Sequence, residues 1–203
     1  MRIRHLVVAA ALALGSLVAA APAQAADFTV ICNGWAACAK SGHSSYGYQA
    51  TYKSSYWSQQ GGHNCTNYVA WRLTHNGRVT ARVPGTGNAS EWATAVANHP
   101  GWGATMSTTP RASTIAWWPA GAKPAGAEGH VAYVQKVETI DGKTYVTVSE
   151  DNKGGAFRWI RVGGDQLPHG YISFAKASVS IKDEIPAITS RTFRAMTRVC
   201  SGC

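Results

Sequence analysis

Cys65 is the residue whose type and position in the sequence most clearly indicate chemistry. It stands in the stretch GGHNCTNYVAWRL, residues 61–73, between a glycine-rich approach and a segment with helical periodicity. This placement predicts that Cys65 lies at a helix N-terminus, where unpaired N–H groups lower the pKa of a thiol and can bind a developing oxyanion. The chain has five cysteines, so pairing the other four leaves Cys65 over. An odd cysteine indicates an intermolecular bridge, a buried inert thiol or a reactive thiol.

The other four cysteines form two clusters, CNGWAAC and CSGC, at the two ends of the expected mature chain. Pairing within each cluster is the simplest arrangement, but a bridge between the clusters would stabilise the domain more strongly. The CSGC pair could also be redox-active, yet no thioredoxin-like pattern accompanies it, and a structural disulfide is the better interpretation. The disulfide candidates are Cys32, Cys38, Cys200 and Cys203.

A reactive thiol normally works with a histidine as base, and a third polar group orients that histidine. Most of the histidines after residue 25 fall in loops or at helix ends, where a solvated polar residue is the ordinary interpretation. His130 differs, because it follows Gly129 at the start of a predicted strand. His130 is therefore the candidate base, on condition that a polar partner lies beside it.

The hairpin that carries His130 predicts this partner. Strands 129–138 and 143–150 meet at an Ile-Asp-Gly turn, and a three-residue loop there puts His130 opposite Asn152. A two-residue Asp-Gly turn would shift the register by one and take Glu150 to the other face. The three-residue loop gathers His130, Glu150 and Asn152 on the more apolar face, which we expect to pack on the helix. We therefore prefer this register and predict that Glu150 or Asn152 orients the His130 imidazole.

The order of elements predicts an α+β fold. Helices are predicted over residues 64–76 and 88–99, the second with an Asn-to-Glu capping box at its start. Short segments with β-branched and aromatic residues then follow, and an antiparallel sheet after helices is typical of this class. The predicted strands are residues 113–118, 129–138, 143–150, 156–162 and 171–174.

Residues 1–25 have the layout of a secretory signal peptide, with two arginines, an apolar run and a final Ala-Gln-Ala. We therefore expect a secreted protein, extracellular or associated with the cell wall, and no membrane segment after cleavage. Cleavage removes two of the 19 basic residues and none of the 10 acidic ones, which leaves a net charge of +7 on 178 residues. Such a charge favours anionic polymers as partners, which in a bacterial envelope would be wall polymers, while the scattered basic residues argue against a dedicated nucleic-acid site.

The mature chain is long enough for one domain, which we expect to be a monomer. Residues 26–60 show little periodicity and are predicted to form an irregular lead-in that wraps the domain. We divide the mature chain into a lead-in with a disulfide (residues 26–44), a catalytic domain (45–174) and a basic tail with CSGC (175–203).

Five stretches, GHNCTNYVAWRL, TPRASTIAWW, GHVAYVQKV, VTVSEDN and PHGYISF, resemble in order the motifs of the CHAP domain, the cysteine- and histidine-dependent amidohydrolase/peptidase. The resemblance covers about residues 45–174 and implies a papain-like fold. Carried over by motif, it implies that Cys65 is the nucleophile and His130 the base. It further implies that Glu150 orients His130 and that Asn152 supports it.

The resemblance also implies an activity, because this family usually cuts amide bonds in peptidoglycan. Asn64 stands where many members have glutamine, and we expect it to join the Cys65 N–H in binding the oxyanion. Trp118, with other aromatic residues, is expected to form a wall of the substrate groove. Further candidates for the groove walls are Trp117, Trp57 and the region of Tyr46 and Tyr48.

Three other interpretations remain open. A zinc site could use His63, Cys65 and His130, but their spacing is poor for that purpose, and we expect no metal or cofactor. A secreted wall-binding module could keep this fold without catalysis. The same residues could also belong to a cysteine protease that acts on proteins, or to a transglutaminase-like enzyme.

Overall fold

The computed structural model describes residues 26–79, 81–152 and 155–175, except for the side chain of Asn152. The predicted signal peptide and the tail cysteines Cys200 and Cys203 lie outside the described residues. Within these ranges no helix is both long and apolar enough to cross a membrane.

Two predicted helices are confirmed, and capping explains where both begin. The helix predicted over 64–76 is α3, which starts after Asn64 because the side chain of Asn64 accepts hydrogen bonds from the N–H groups of Thr66 and Asn67. The helix predicted over 88–99 begins with a 3₁₀ turn whose capping box joins Asn88 and Glu91. The helices are α1 (Trp35–Lys40), α2 (Tyr48–Thr51), α3 (Cys65–His75) and α4 (Trp92–Asn98).

Among the described residues, seven antiparallel strands form one sheet, in the order β1-β6-β5-β4-β3-β7-β2. The predicted α+β class is therefore confirmed. The strands are β1 (Phe28–Asn33), β2 (Ala104–Ser107), β3 (Ile115–Trp118), β4 (His130–Ile140), β5 (Lys143–Asn152), β6 (Ala156–Gly163) and β7 (Gly170–Phe174).

The two outermost strands, β1 and β2, were not predicted. The expectation of an irregular lead-in over residues 26–60 is wrong, because this segment contains β1, α1 and α2. β1 pairs with β6 along one edge of the sheet. Each of the two outermost strands has a single buried residue, Cys32 in β1 and Ala104 in β2, so neither shows the row of buried positions that marks a strand in a sequence.

Helix α3 packs on β4 and β5, but not on the face that the sequence favoured. Its Tyr68 hydroxyl lies 2.6 Å from the Ser149 hydroxyl, on the face that also carries Tyr133. The opposite face of the same strands forms a second core around Ala132 and Val148. The predicted packing was wrong because the sheet is buried on both faces, so the more apolar face does not have to be the one beneath the helix.

The β4–β5 hairpin has the predicted register near His130 for a different reason. Its turn has two residues, Asp141 and Gly142, both with positive φ (49° and 75°), and Ile140 pairs with Lys143. A bulge between Val134 and Lys136 then shifts the register by one. Beyond it, Tyr133 pairs with Ser149 and Val134 with Val148, which is the register that the three-residue loop would have produced.

Candidate active site

Cys65 is the first residue of α3 and carries a free thiol. Cys32 and Cys38 form a disulfide between β1 and α1, so the first cysteine cluster is paired within itself. Among the described residues Cys65 is the only cysteine outside a disulfide. Its thiol accepts a hydrogen bond from the Val131 N–H and is hydrogen-bonded to the His130 imidazole.

His130 is the first residue of β4, and the predicted partner Glu150 holds its ring. The Nε2 atom of His130 lies 2.5 Å from Oε2 of Glu150, which is fully buried. Because Glu150 occupies Nε2, the other ring nitrogen, Nδ1, is the one that can serve the thiol. Asn152 ends β5 opposite Ala156, and the role predicted for its side chain stays a prediction.

The charges in this site favour an ion pair between thiolate and imidazolium. Burial alone would raise the pKa of Cys65, but the charge of His130 and the hydrogen bonds to the sulfur outweigh it and keep the pKa below its usual value. Burial alone would lower the pKa of His130, but the Glu150 carboxylate and the Cys65 thiolate raise it to about 10. Opposite shifts in two neighbouring groups mean that each stabilises the charged form of the other.

Arg158 also belongs to this cluster, and sequence reasoning missed it. Its Nε donates to Oε1 of Glu150 over 2.7 Å, and its Nη2 contacts the same oxygen. Burial alone would raise the pKa of Glu150, but His130 first and Arg158 second keep it below the usual range. Arg158 lies directly opposite Glu150 in the β5–β6 ladder, so pairing the two predicted strands 143–150 and 156–162 would have revealed this ion pair.

A second histidine–carboxylate pair, also missed, lies beside the first one. The Nδ1 atom of His63 is 2.6 Å from Oδ1 of Asp151, whose side chain is fully buried. His63 is thus engaged by β5 rather than by Cys65, which does not favour the zinc interpretation. Within the part of the chain that the structure describes, no group of three or more His, Cys, Asp or Glu side chains could hold a metal ion.

Cys65 and His130 line a groove that has a volume of about 680 Å³. One wall comes from the loop between β3 and β4, and the other from the segments that precede α3 and α4. Asn64 lines the groove, and because its Oδ1 accepts the capping bonds of α3, its Nδ2 amide is the group that it can offer to a substrate, as a donor. The lining residues are Ser58, Gln59, Gln60, Asn64, Cys65, Thr66, Arg82, Gly87, Asn88, Ala89, Pro124, Ala125, Gly126, Ala127, Glu128, Gly129, His130, Glu150 and Arg158.

The aromatic residues expected in the groove wall do not line it, and that prediction is wrong. Trp118 is fully buried 5.5 Å from the His130 ring, and its Nε1 donates to the Gln166 carbonyl. Trp57 is buried against Trp92. These rings have too much apolar area to stay in an open groove when the core can take them. Trp117, Tyr46 and Tyr48 are also absent from the lining.

Comparison with known proteins agrees with the resemblance seen in the sequence. The CHAP domain family matches residues 51–152, about half of the chain, and the chain belongs to this family. No curated protein matches. Among solved structures, the chain is similar to the crystal structure of an N-acetylmuramoyl-L-alanine amidase from Staphylococcus aureus, with 26% identity and a TM-score of 0.45. That match covers 55% of this chain and 30% of the amidase, so this chain spans less than a third of the length of that protein.

Proposed function

We propose that the protein is a secreted cysteine hydrolase that cuts an amide bond of peptidoglycan, as an amidase or as an endopeptidase. The observation that carries this proposal is the free thiol of Cys65 at the start of α3, hydrogen-bonded to His130, which is held in turn by Glu150 at an open groove. Membership of a family of amidohydrolases and peptidases supports the same reaction class.

The reaction would begin with attack by the Cys65 thiolate on the carbonyl carbon of a bound amide. The negative charge then moves to the carbonyl oxygen, near the Cys65 N–H at the start of α3 and the Nδ2 amide of Asn64. The loss of one such oxyanion donor costs about a hundredfold in rate. His130 gives its Nδ1 proton to the leaving amine, and the C–N bond breaks to leave a thioester on Cys65.

The second half of the reaction restores the site. His130 is neutral once it has protonated the amine, so it can accept a proton from water. The hydroxide equivalent attacks the thioester carbonyl, the C–S bond breaks, and the carboxylic acid product leaves a thiolate paired with imidazolium. Glu150 stabilises the charged imidazolium at both ends of the cycle and holds the ring in one orientation.

The character of the groove supports a polar, extended substrate. Its walls consist largely of amide side chains, small residues and loop backbone, which can hydrogen-bond to peptide and sugar groups. The expected mature charge of +7 would attract the protein to anionic wall polymers, and the layout of residues 1–25 would bring it to the wall.

The test compares wild-type protein, recovered from the culture medium, with Cys65→Ala on purified peptidoglycan of several chemotypes. Ser107→Ala removes an exposed hydroxyl outside the groove and serves as the matched control. We expect wild type and Ser107→Ala to release fragments and Cys65→Ala to release none, and the fragment masses to identify the bond. The mass of the recovered protein shows whether residues 1–25 have been removed.

Two results would replace this proposal by the other interpretations. If wild type and Cys65→Ala bind the walls equally and neither cuts them, the protein is a wall-binding module. If the wild type cuts an unfolded protein such as casein and leaves every wall intact, it is a cysteine protease that acts on proteins.

A further inference from the structure

Consecutive residues of β5 hold two histidines on opposite faces of the sheet. Glu150 holds His130 at the groove, and Asp151 holds His63 on the face that α3 covers. Side chains of neighbouring strand residues point to opposite faces, so this arrangement follows from the sequence Glu-Asp in one strand. The first pair enters the proposed reaction, whereas nothing so far explains the second.

The Asp151 carboxylate contacts the two residues that immediately precede the nucleophile. It contacts the His63 ring over 2.6 Å, and the Asn64 N–H also approaches it. Asn64 in turn caps α3, whose first residue is Cys65. The chain from 63 to 65 is therefore connected to β5 beside Glu150, the residue that sets the position of the base.

Asp151 is poorly compensated for a buried carboxylate. Its Oδ2 atom is buried and has no hydrogen-bond partner among the described residues. Burial outweighs the contacts of this carboxylate with His63, Tyr48 and the Asn64 N–H, so its charged form costs free energy of folding. What this carboxylate supplies is therefore a fixed position for His63 and Asn64 rather than stability.

Aromatic rings fix the other faces of His63. Its ring stacks on Trp35 at 5.7 Å and lies 4.8 Å from the ring of Tyr52. Trp35 belongs to α1, inside the loop that the Cys32–Cys38 disulfide closes, and it also stacks on Phe157 of β6. The imidazole is thus held by the sheet on one side and by the disulfide-closed segment on the other.

His63 stands apart from the chemistry itself. It does not line the groove, and Cys65 interacts with His130, Val131 and Glu150 rather than with His63. We propose that His63 and Asp151 form a positioning pair, which holds residues 63–64 against β5 so that the Cys65 sulfur stays aligned with the His130 ring. This inference rests on the proposed function, since it assigns these two residues to the geometry of the same site.

The test uses two substitutions of His63 and one matched control. His63→Leu removes the hydrogen bond to Asp151, whereas His63→Asn keeps an N–H donor near the position of Nδ1. His75→Leu is the control, because His75 also stacks on a tryptophan, Trp71, but lies exposed at the far end of α3. The measurements are kcat, KM, the rate of iodoacetamide alkylation of Cys65 without substrate, and the melting temperature.

We expect kcat of His63→Leu to fall by up to about a hundredfold, because displacement of a nucleophile by about 1 Å can lower the rate by that factor. Alkylation of Cys65 should slow in parallel, with KM unchanged, and His63→Asn should recover most of the loss. His75→Leu should lower the melting temperature and leave kcat and alkylation at wild-type values.

Equal kcat and equal alkylation rates in His63→Leu and His75→Leu would overturn the positioning pair. If His63→Leu does not fold, His63→Gln decides instead, because its amide nitrogen corresponds to Nε2 and not to Nδ1; wild-type kcat in folded His63→Gln would overturn the pair. Cutting by Cys65→Ala would overturn the proposed function itself, which separates the two failures.

Discussion

The two histidine–carboxylate pairs on β5 have nearly the same length, 2.5 Å and 2.6 Å, but their acids have different surroundings. Glu150 also contacts Arg158, and its pKa lies below the usual range. Asp151 has no arginine or lysine contact among the described residues, and burial raises its pKa to about 6. For Glu150 the charge of His130, and after it that of Arg158, outweighs burial, whereas for Asp151 burial outweighs the contacts with His63. The pair with the cation is the one that faces the free thiol.

The largest effect should come from removing the charge of Glu150. Glu150→Gln keeps the shape of the side chain but no longer raises the pKa of His130, so the thiolate–imidazolium pair is lost. We expect kcat for peptidoglycan cleavage to fall by at least about a hundredfold. The control is Glu138→Gln, which neutralises an acid on β4 that pairs with Lys136 away from the groove. Equal activity in the two variants would show that the negative charge of Glu150 does not matter.

A smaller effect is expected for Arg158→Gln, since Arg158 acts on the site only through Glu150. Without the guanidinium the pKa of Glu150 rises, so Glu150 becomes protonated at a higher pH as the solution is acidified. The acid limb of the pH–rate profile should therefore move to higher pH, with a loss of about tenfold in kcat at the optimum. A profile that keeps its acid limb would contradict the role of Arg158 in holding Glu150 ionised.

The smallest change in activity is expected for Asp151→Asn, because the amide oxygen can still accept from His63. Here the informative quantity is the free energy of unfolding as a function of pH. The pKa of Asp151 is raised from 3.8 to about 6, so wild type loses stability as pH rises through this range, whereas asparagine does not titrate. Denaturant unfolding gives the free energy of unfolding of both proteins at pH 4 and pH 7. The value for Asp151→Asn minus the value for wild type should be about 1 to 3 kcal/mol larger at pH 7 than at pH 4. A difference independent of pH would show that Asp151 has an ordinary pKa.

The sequence was most informative where the determinants are local. The position of Cys65 at a helix start follows from Asn64, whose side chain caps α3 within three residues. The Asn88–Glu91 capping box is equally local, and it was predicted for the same reason. Residues close together in the sequence determine such contacts, so they can be predicted without knowledge of the tertiary structure.

Contacts between distant segments were harder to predict. Glu150, one of the two partners predicted for His130, does contact its ring, although the register shift comes from a bulge near Val134 and not from the turn. Bulges leave little trace in the hydrophobic pattern, so this one was missed. The wrong loop length, three residues instead of two, compensated for the missed bulge. His63 and Asp151 are 88 residues apart in the chain, and no local pattern indicates that they meet.

The most direct test of the ion pair at Cys65 measures how its alkylation rate depends on pH. Iodoacetamide reacts with the thiolate, and mass spectrometry of the peptide that carries Cys65 follows the reaction without any substrate. Because His130 holds the pKa of Cys65 below its usual value, we predict fast alkylation well below the ordinary thiol pKa of about 8.5. A rate that rises only around that ordinary value, with no difference between wild type and Glu150→Gln, would contradict the ion pair on which the proposed mechanism rests.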